Sequence, residues 1–206
     1  MALELKNFTI SHNNKDLFDE ISIVIKQGEI ATIMGPSGCG KSTLLSAICG
    51  NMSHDFVLRG DILLSSESII EIPMELRKVG ILFQDDLIFP HMDIGSNLRF
   101  AIPAHISKKE KQKKIDKVLE IAGLKGFNKR DPATLSGGQL SRISLLRTLL
   151  AEPKALLLDE PFARLDKELK GQMRDFVFTR IKEMNIPALL VTHDPDDHAG
   201  EQLLYL

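Results

Sequence analysis

IATIMGPSGCGKSTLLSAICG, residues 30–50, decides the fold. A short apolar run, Ile30 to Met34, enters a glycine-rich turn and leaves it in KSTLLSAICG, whose apolar residues recur at helical spacing. The turn holds Gly35, four further residues, then Gly40, Lys41 and Ser42, the pattern of a loop that cradles phosphate between a strand and a helix. Glycines let the backbone wrap closely round phosphate oxygens, Lys41 neutralises the β- and γ-oxygens, and the Ser42 hydroxyl suits a hard cation such as Mg²⁺. Gly35, Pro36, Ser37, Gly38, Cys39, Gly40, Lys41, Ser42 and Thr43 are therefore the expected phosphate-binding set.

Outward from the loop, short β-rich runs alternate with helical stretches. LELKNFTI, ISIVIK, IATIM, VGILF, ALLLD and ALLVTH read as strands, and the near-continuous apolar ones fit a mostly parallel sheet covered on both faces. Between 85 and 154 the pattern is helix after helix, which predicts a helical subdomain inserted into an α/β core made of 1–84 and 155–206. The 206 residues suffice for one domain with such a subdomain but not for two full enzymes. A net charge of -2 gives no basic footprint for nucleic acid. KKEKQKK at 108–114 reads first as a solvated helix face and second as a contact for anionic lipid headgroups. Cys39 and Cys49 read as reduced structural thiols rather than a disulfide or a metal pair.

Four further stretches carry chemistry. ALLLDEP at 155–161 ends a buried strand in two carboxylates, where α/β sheets place ligands. Asp159 suits Mg²⁺, and Glu160 is then placed to deprotonate an attacking water. His193 ends ALLVTH and Gln84 follows VGILF, each at a strand end, an imidazole for a γ-phosphate and an amide for metal or water. LSGGQ at 135–139 opens the amphipathic run SRISLLRTLLA and reads either as a helix N-cap or as a second anion site.

Phosphate loop, Gln84, LSGGQ, ALLLDE, the ARLD turn at 163–166 and His193 stand in an order that resembles the ATP-binding subunits of ABC transporters along essentially the whole chain. The resemblance implies a phosphate-loop nucleotide-hydrolase core with an added N-terminal antiparallel β portion. It also implies an ATPase that uses ATP and Mg²⁺ as a head-to-tail pair of copies. In such a pair Ser136, Gly137, Gly138 and Gln139 of one copy close over ATP on the other, and Asp166 links the two sites. Lys41, Gln84, Glu160 and His193 are implied as catalytic, and Ser42, Gln84 and Asp159 as the Mg²⁺ set. ILFQDDLIFPHMDIGSNLRF, 81–100, resembles importer subunits, whose helical subdomain receives a transmembrane permease. Permease subunits, an extracytoplasmic solute-binding protein and a place on the cytoplasmic face of the membrane are thus expected partners and location.

Three positions depart from the family pattern. His12 stands where members usually stack an aromatic ring on adenine, and Ala163 and Arg164 replace a serine and a small residue in the ARLD turn. No stretch is long and apolar enough to span a bilayer, MALELKNFTI lacks the features of a signal peptide, and the short segment after His193 leaves no room for a regulatory domain. The competing readings are a soluble relative acting on ribosomes or DNA, and a nucleotide-dependent regulatory module.

Overall fold

The computed structural model describes residues 1–83, 87–163, 165, 167–199 and 202–206, apart from the side chains of Glu168 and Leu169. In chain order the strands and helices are β1 (Ala2–His12), β2 (Lys15–Asp16), β3 (Ile21–Lys26), β4 (Ile30–Met34), α1 (Lys41–Cys49), β5 (Phe56–Leu64), β6 (Glu67–Ser68) and β7 (Val79–Leu82). There follow α2 (Ile94–Ala101), α3 (Lys108–Ile121), α4 (Gly137–Leu150), β8 (Ala155–Asp159), α5 (Lys167–Met184), β9 (Ala188–Val191) and β10 (Gln202–Tyr205). They divide into two compact units, one of residues 1–81, 154–160 and 177–206, the other of 82–153 and 161–176.

The first unit carries both sheets. One has the order β10-β4-β9-β8-β7, with β10, β4, β9 and β8 mutually parallel. Every residue of β4 and β9 is buried, as is β8 up to Leu158, which is why these strands read as unbroken apolar runs. The other sheet is antiparallel, with β1 pairing β2, β3 and β5. Its inward residues, among them Leu3, Leu5, Phe8 and Ile62, share one core with Leu44, Leu45 and Ile48 of α1 and with Leu157 and Leu189 of the parallel sheet.

Besides the two-residue strands β2 and β6, the strands β5 and β10 escaped the sequence reading. In FVLRGDILL the apolar pattern is broken by Arg59-Gly60-Asp61, and the break has a structural purpose. At Gly60 the β1 register shifts and φ is +85°, and a Cβ there would lie 2.1 Å from the Asn7 carbonyl oxygen. QLLY of β10 is too short to stand out by pattern.

Arg77 is 6% exposed, and its guanidinium donates to the carbonyls of Ala47 (2.8 Å) and Ile48 (3.0 Å) near the end of α1, and to those of Ile70 and Ile72. Burial lowers its pKa, with Cys49 and Glu71 pulling it back up. One side chain thus reinforces the end of α1, where the Ala47 carbonyl also accepts from the Gly50 N–H at 3.2 Å.

The second unit, 82–153 and 161–176, carries α2, α3 and α4. Its core gathers Ile94 and Leu98 of α2, Ile115 and Leu119 of α3, and Ile143, Leu146 and Leu150 of α4. The fully buried Asn97 amide accepts from the Phe89 N–H (2.9 Å) and donates to the carbonyls of Phe89, Met92 and Asp93, so the segment before α2 is clamped by one side chain. Arg147 of α4 adds a bond to the Leu87 carbonyl (2.8 Å) and lies over the Phe89 ring.

Asp93 caps α2, accepting from the Ser96 N–H at 2.7 Å. Burial raises its pKa, but the bonds from Ser96 and the nearby Lys129 ammonium outweigh that and leave the carboxyl below its ordinary value. A depressed carboxyl stabilises the fold above its unfolded pKa and stops doing so as the pH falls through its folded value. Asp93→Ala is therefore expected to cost about 1 kcal/mol at pH 7, or about 2–4 °C in Tm. In melting curves taken across pH the deficit should close below about pH 4; a deficit independent of pH would remove the carboxylate charge from the account.

Candidate active site

Because β4, β8 and β9 are parallel and buried along their lengths, their polar ends converge at one carboxyl edge. Beyond Met34 the chain turns through 35–40 with Gly38 and Gly40 at φ +83° and +99°, then enters α1. Gly40 precedes the helix with no side-chain cap, and the first turn of α1 has no acidic residue, so its N–H groups and positive dipole end are left for an anion. Lys41 is 7% exposed, and its ammonium donates to the carbonyls of Gly35 and Pro36, both at 2.8 Å, with Cys39 Sγ at 3.8 Å. The loop thus holds its own cation in place without neutralising it. Gly35 admits no side chain, since a Cβ would lie 2.6 Å from the Leu206 oxygen and 2.9 Å from Cys39 Sγ.

Asp159 ends β8, with the Ser42 and Lys41 side chains near its carboxyl. Burial pushes its carboxyl up and the Glu160 charge adds to that, while Ser42 and Lys41 hold it down. Next to it Glu160 sits at φ +45°, a left-handed backbone unusual for its residue type, with its N–H bonded to the Val191 carbonyl (2.9 Å). Its Oε1 lies 2.9 Å from Nδ1 of His193, just beyond β9. A carboxylate so placed can accept a proton while the imidazole fixes its orientation.

A cleft of about 380 Å³ brings together His12, Ser37, Gly38, Lys41, Ser42, Thr43 and Glu160. Phe56 also lines it, stacked on His12, a residue that no motif announces. The other expected loop residues, Gly35, Pro36 and Cys39, surround the Lys41 ammonium. Gln84, Arg164 and Asp166 lie outside the described residues.

Ser136, Gly137, Gly138 and Gln139 stand on the second unit at the start of α4. Ser136 is the N-cap, its Oγ accepting from the Gln139 N–H while Gln139 Oε1 accepts from the Ser136 N–H at 3.0 Å. Arg142, also missed in the sequence, ties this turn to the end of α3 through the carbonyls of Gly138 (3.3 Å) and Ala122 (2.8 Å).

The ABC transporter family model matches residues 18–163. The chain belongs to the ABC transporter family. It is the ATP-binding subunit, an ATPase. It is 44% identical over 193 residues to YnjD, an ABC transporter ATP-binding protein of Escherichia coli K12, covering 94% of this chain and 89% of YnjD. It is 36% identical to the putrescine transport ATP-binding protein PotG of the same strain and 35% identical to the Fe(3+) ions import ATP-binding protein FbpC of E. coli O157:H7. Each match covers 95% of this chain, which spans only 51% of PotG and 56% of FbpC. Among solved structures, the dimeric ATP-binding cassette MJ0796 bound to ADP and Pi superposes with a TM-score of 0.82 at 28% identity, covering 99% of this chain and 94% of that one.

The crowding at Gly35 gives a test in this ABC ATPase. Overpacking costs about 1–3 kcal/mol, so Gly35→Ala is expected to weaken ADP binding by about tenfold or more while circular dichroism stays unchanged. Calorimetric titration reads it, and an unchanged affinity would mean that the loop yields without cost.

Proposed function

We propose that this ATPase drives solute import as a head-to-tail pair of copies, with the LSGGQ turn of each copy closing over the ATP of the other. The observation that carries the reading is at Gly137. A Cβ there would meet nothing within 4 Å, and no left-handed φ demands a glycine, yet glycine costs a helix about 1 kcal/mol relative to alanine. A missing side chain that the chain itself does not need suits a turn approached from outside. Ser136 fits the same role, because its oxygen is used in the cap and its proton remains to be donated to a phosphate oxygen. The dimeric MJ0796 cassette supports the pairing.

Within each site Lys41 and the loop N–H groups bind and orient the phosphates. Glu160 takes the proton of the attacking water, and His193 holds Glu160 and faces the γ-phosphate. The Ser42 hydroxyl and the Asp159 carboxyl are hard oxygen donors, and a cation beside them would offset the burial that raises Asp159, so the residues fit Mg²⁺. Mg²⁺ supplies charge neutralisation for the β- and γ-oxygens when bound. Gln84 and Asp166 keep the roles the family resemblance gives them, as metal or water contact and as link between sites.

The helical segment 85–154 receives permease subunits at the cytoplasmic face of the cell membrane. Support comes from Phe89 and Phe100, packed edge to face at 5.1 Å with Phe100 68% exposed, and from the named import relatives. An extracytoplasmic solute-binding protein completes the importer. Among the described residues no helix is long and apolar enough to cross a membrane.

Specific activity of the purified protein is expected to rise with protein concentration. Glu160→Gln should lower turnover by roughly 10²–10⁴-fold with nucleotide binding intact, and Ser136→Arg should abolish turnover with nucleotide binding likewise intact. Activity independent of concentration that survives Ser136→Arg would reduce LSGGQ to a helix cap.

A further inference from the structure

We propose that Phe56 positions the nucleobase: its ring and the His12 imidazole form one stacked platform beside the phosphate cradle. This rests on the nucleotide-binding reading of the cleft. The β1–β5 register sets His12 directly opposite Phe56, and their rings stack with centroids 4.8 Å apart and planes 28° from parallel. Both rings line the cleft that contains Ser37, Lys41 and Thr43, so a nucleotide whose phosphates occupy the loop meets them with its base. Neither Trp nor the single Tyr of the chain is available for that task, since Trp is absent and Tyr205 lines a different depression.

An imidazole offers a small stacking area and, alone at the end of a strand, turns about its side-chain bonds. Phe56 covers one face and fixes the ring plane, leaving a preorganised surface for the base. The strand end is held as well. Asn13 and Asn14, at φ +51° and +60°, form the two-residue turn that pairs His12 with Lys15. Beside it Ser11 Oγ donates to Asp16 Oδ1 at 2.6 Å, and the Arg59 guanidinium binds both Ser11 and Asp16, locking β1, β2 and β5 together. Phe56 thus acts on the base through His12, at a strand end that these bonds hold.

Calorimetric titration with ATP and with inorganic tripolyphosphate, which has no base, tests the platform. Phe56→Leu is expected to weaken ATP binding about 5- to 50-fold and to leave tripolyphosphate binding within about twofold of wild type. Phe56→Tyr should restore ATP affinity, and Phe56→Leu should add little once His12→Ala is present, because the two rings act as one. Unchanged ATP affinity in Phe56→Leu, an equal loss for both ligands, or fully additive losses with His12→Ala would each overturn the proposal. A wild-type protein that binds neither ligand would instead overturn the nucleotide reading itself and the platform with it.

Discussion

Lys41, Asp159, Glu160 and His193 stand together because β4, β8 and β9 are neighbouring parallel strands buried along their lengths. A sheet covered on both faces has no lateral surface for polar chemistry, and parallel strands all end on the same side. Whatever charge these strands carry is forced to one edge, where the chain leaves regular hydrogen bonding. Ser42, in the first turn of α1, and Asp159, at the end of β8, interact at that edge, where Ser42 and Lys41 hold the Asp159 carboxyl down against burial.

Several features of that edge cost stability. The Asp159 carboxyl is pushed up by burial, Glu160 holds a left-handed backbone that has to be imposed by its surroundings, and the Lys41 ammonium is satisfied by carbonyls. In the proposed site each has a ligand to answer it: an anion for Lys41, a cation for Asp159, and a water for Glu160. The supports lie far from the chemistry, in the shared core under both sheets and in Arg77, which holds the opposite end of α1. Strain at the site and over-determination behind it belong to one design.

The α/β core was legible because buried parallel strands leave unbroken apolar runs, and the cradle was legible because phosphate chemistry constrains residue type at fixed spacing. β5 was not legible, since the Gly60 bulge that it needs opposite Asn7 interrupts the alternation by which a strand is recognised. Phe56 was hidden for a related reason. It reaches the cleft only through the register of β1 with β5, which no local pattern records. Arg77, Arg142 and Arg147 were hidden because their partners are backbone carbonyls, and a carbonyl has no letter in the sequence.

The turn at 136–139 shows how one pattern serves two readings that at first compete. A serine N-cap with Gln three residues on is a sufficient reason for a helix to begin there, and the capping box is formed. It does not explain two glycines in the first turn, where alanine would hold the helix better and nothing crowds Gly137. The cap uses the oxygen of Ser136 and the backbone of Gln139, so the serine proton and the bare glycine surface are what remain. In the proposed pair that remainder is the binding surface, and capping is what makes it rigid enough to complete a site on another copy. Hydrolysis is then conditional on closure, because neither the cradle nor the turn suffices alone.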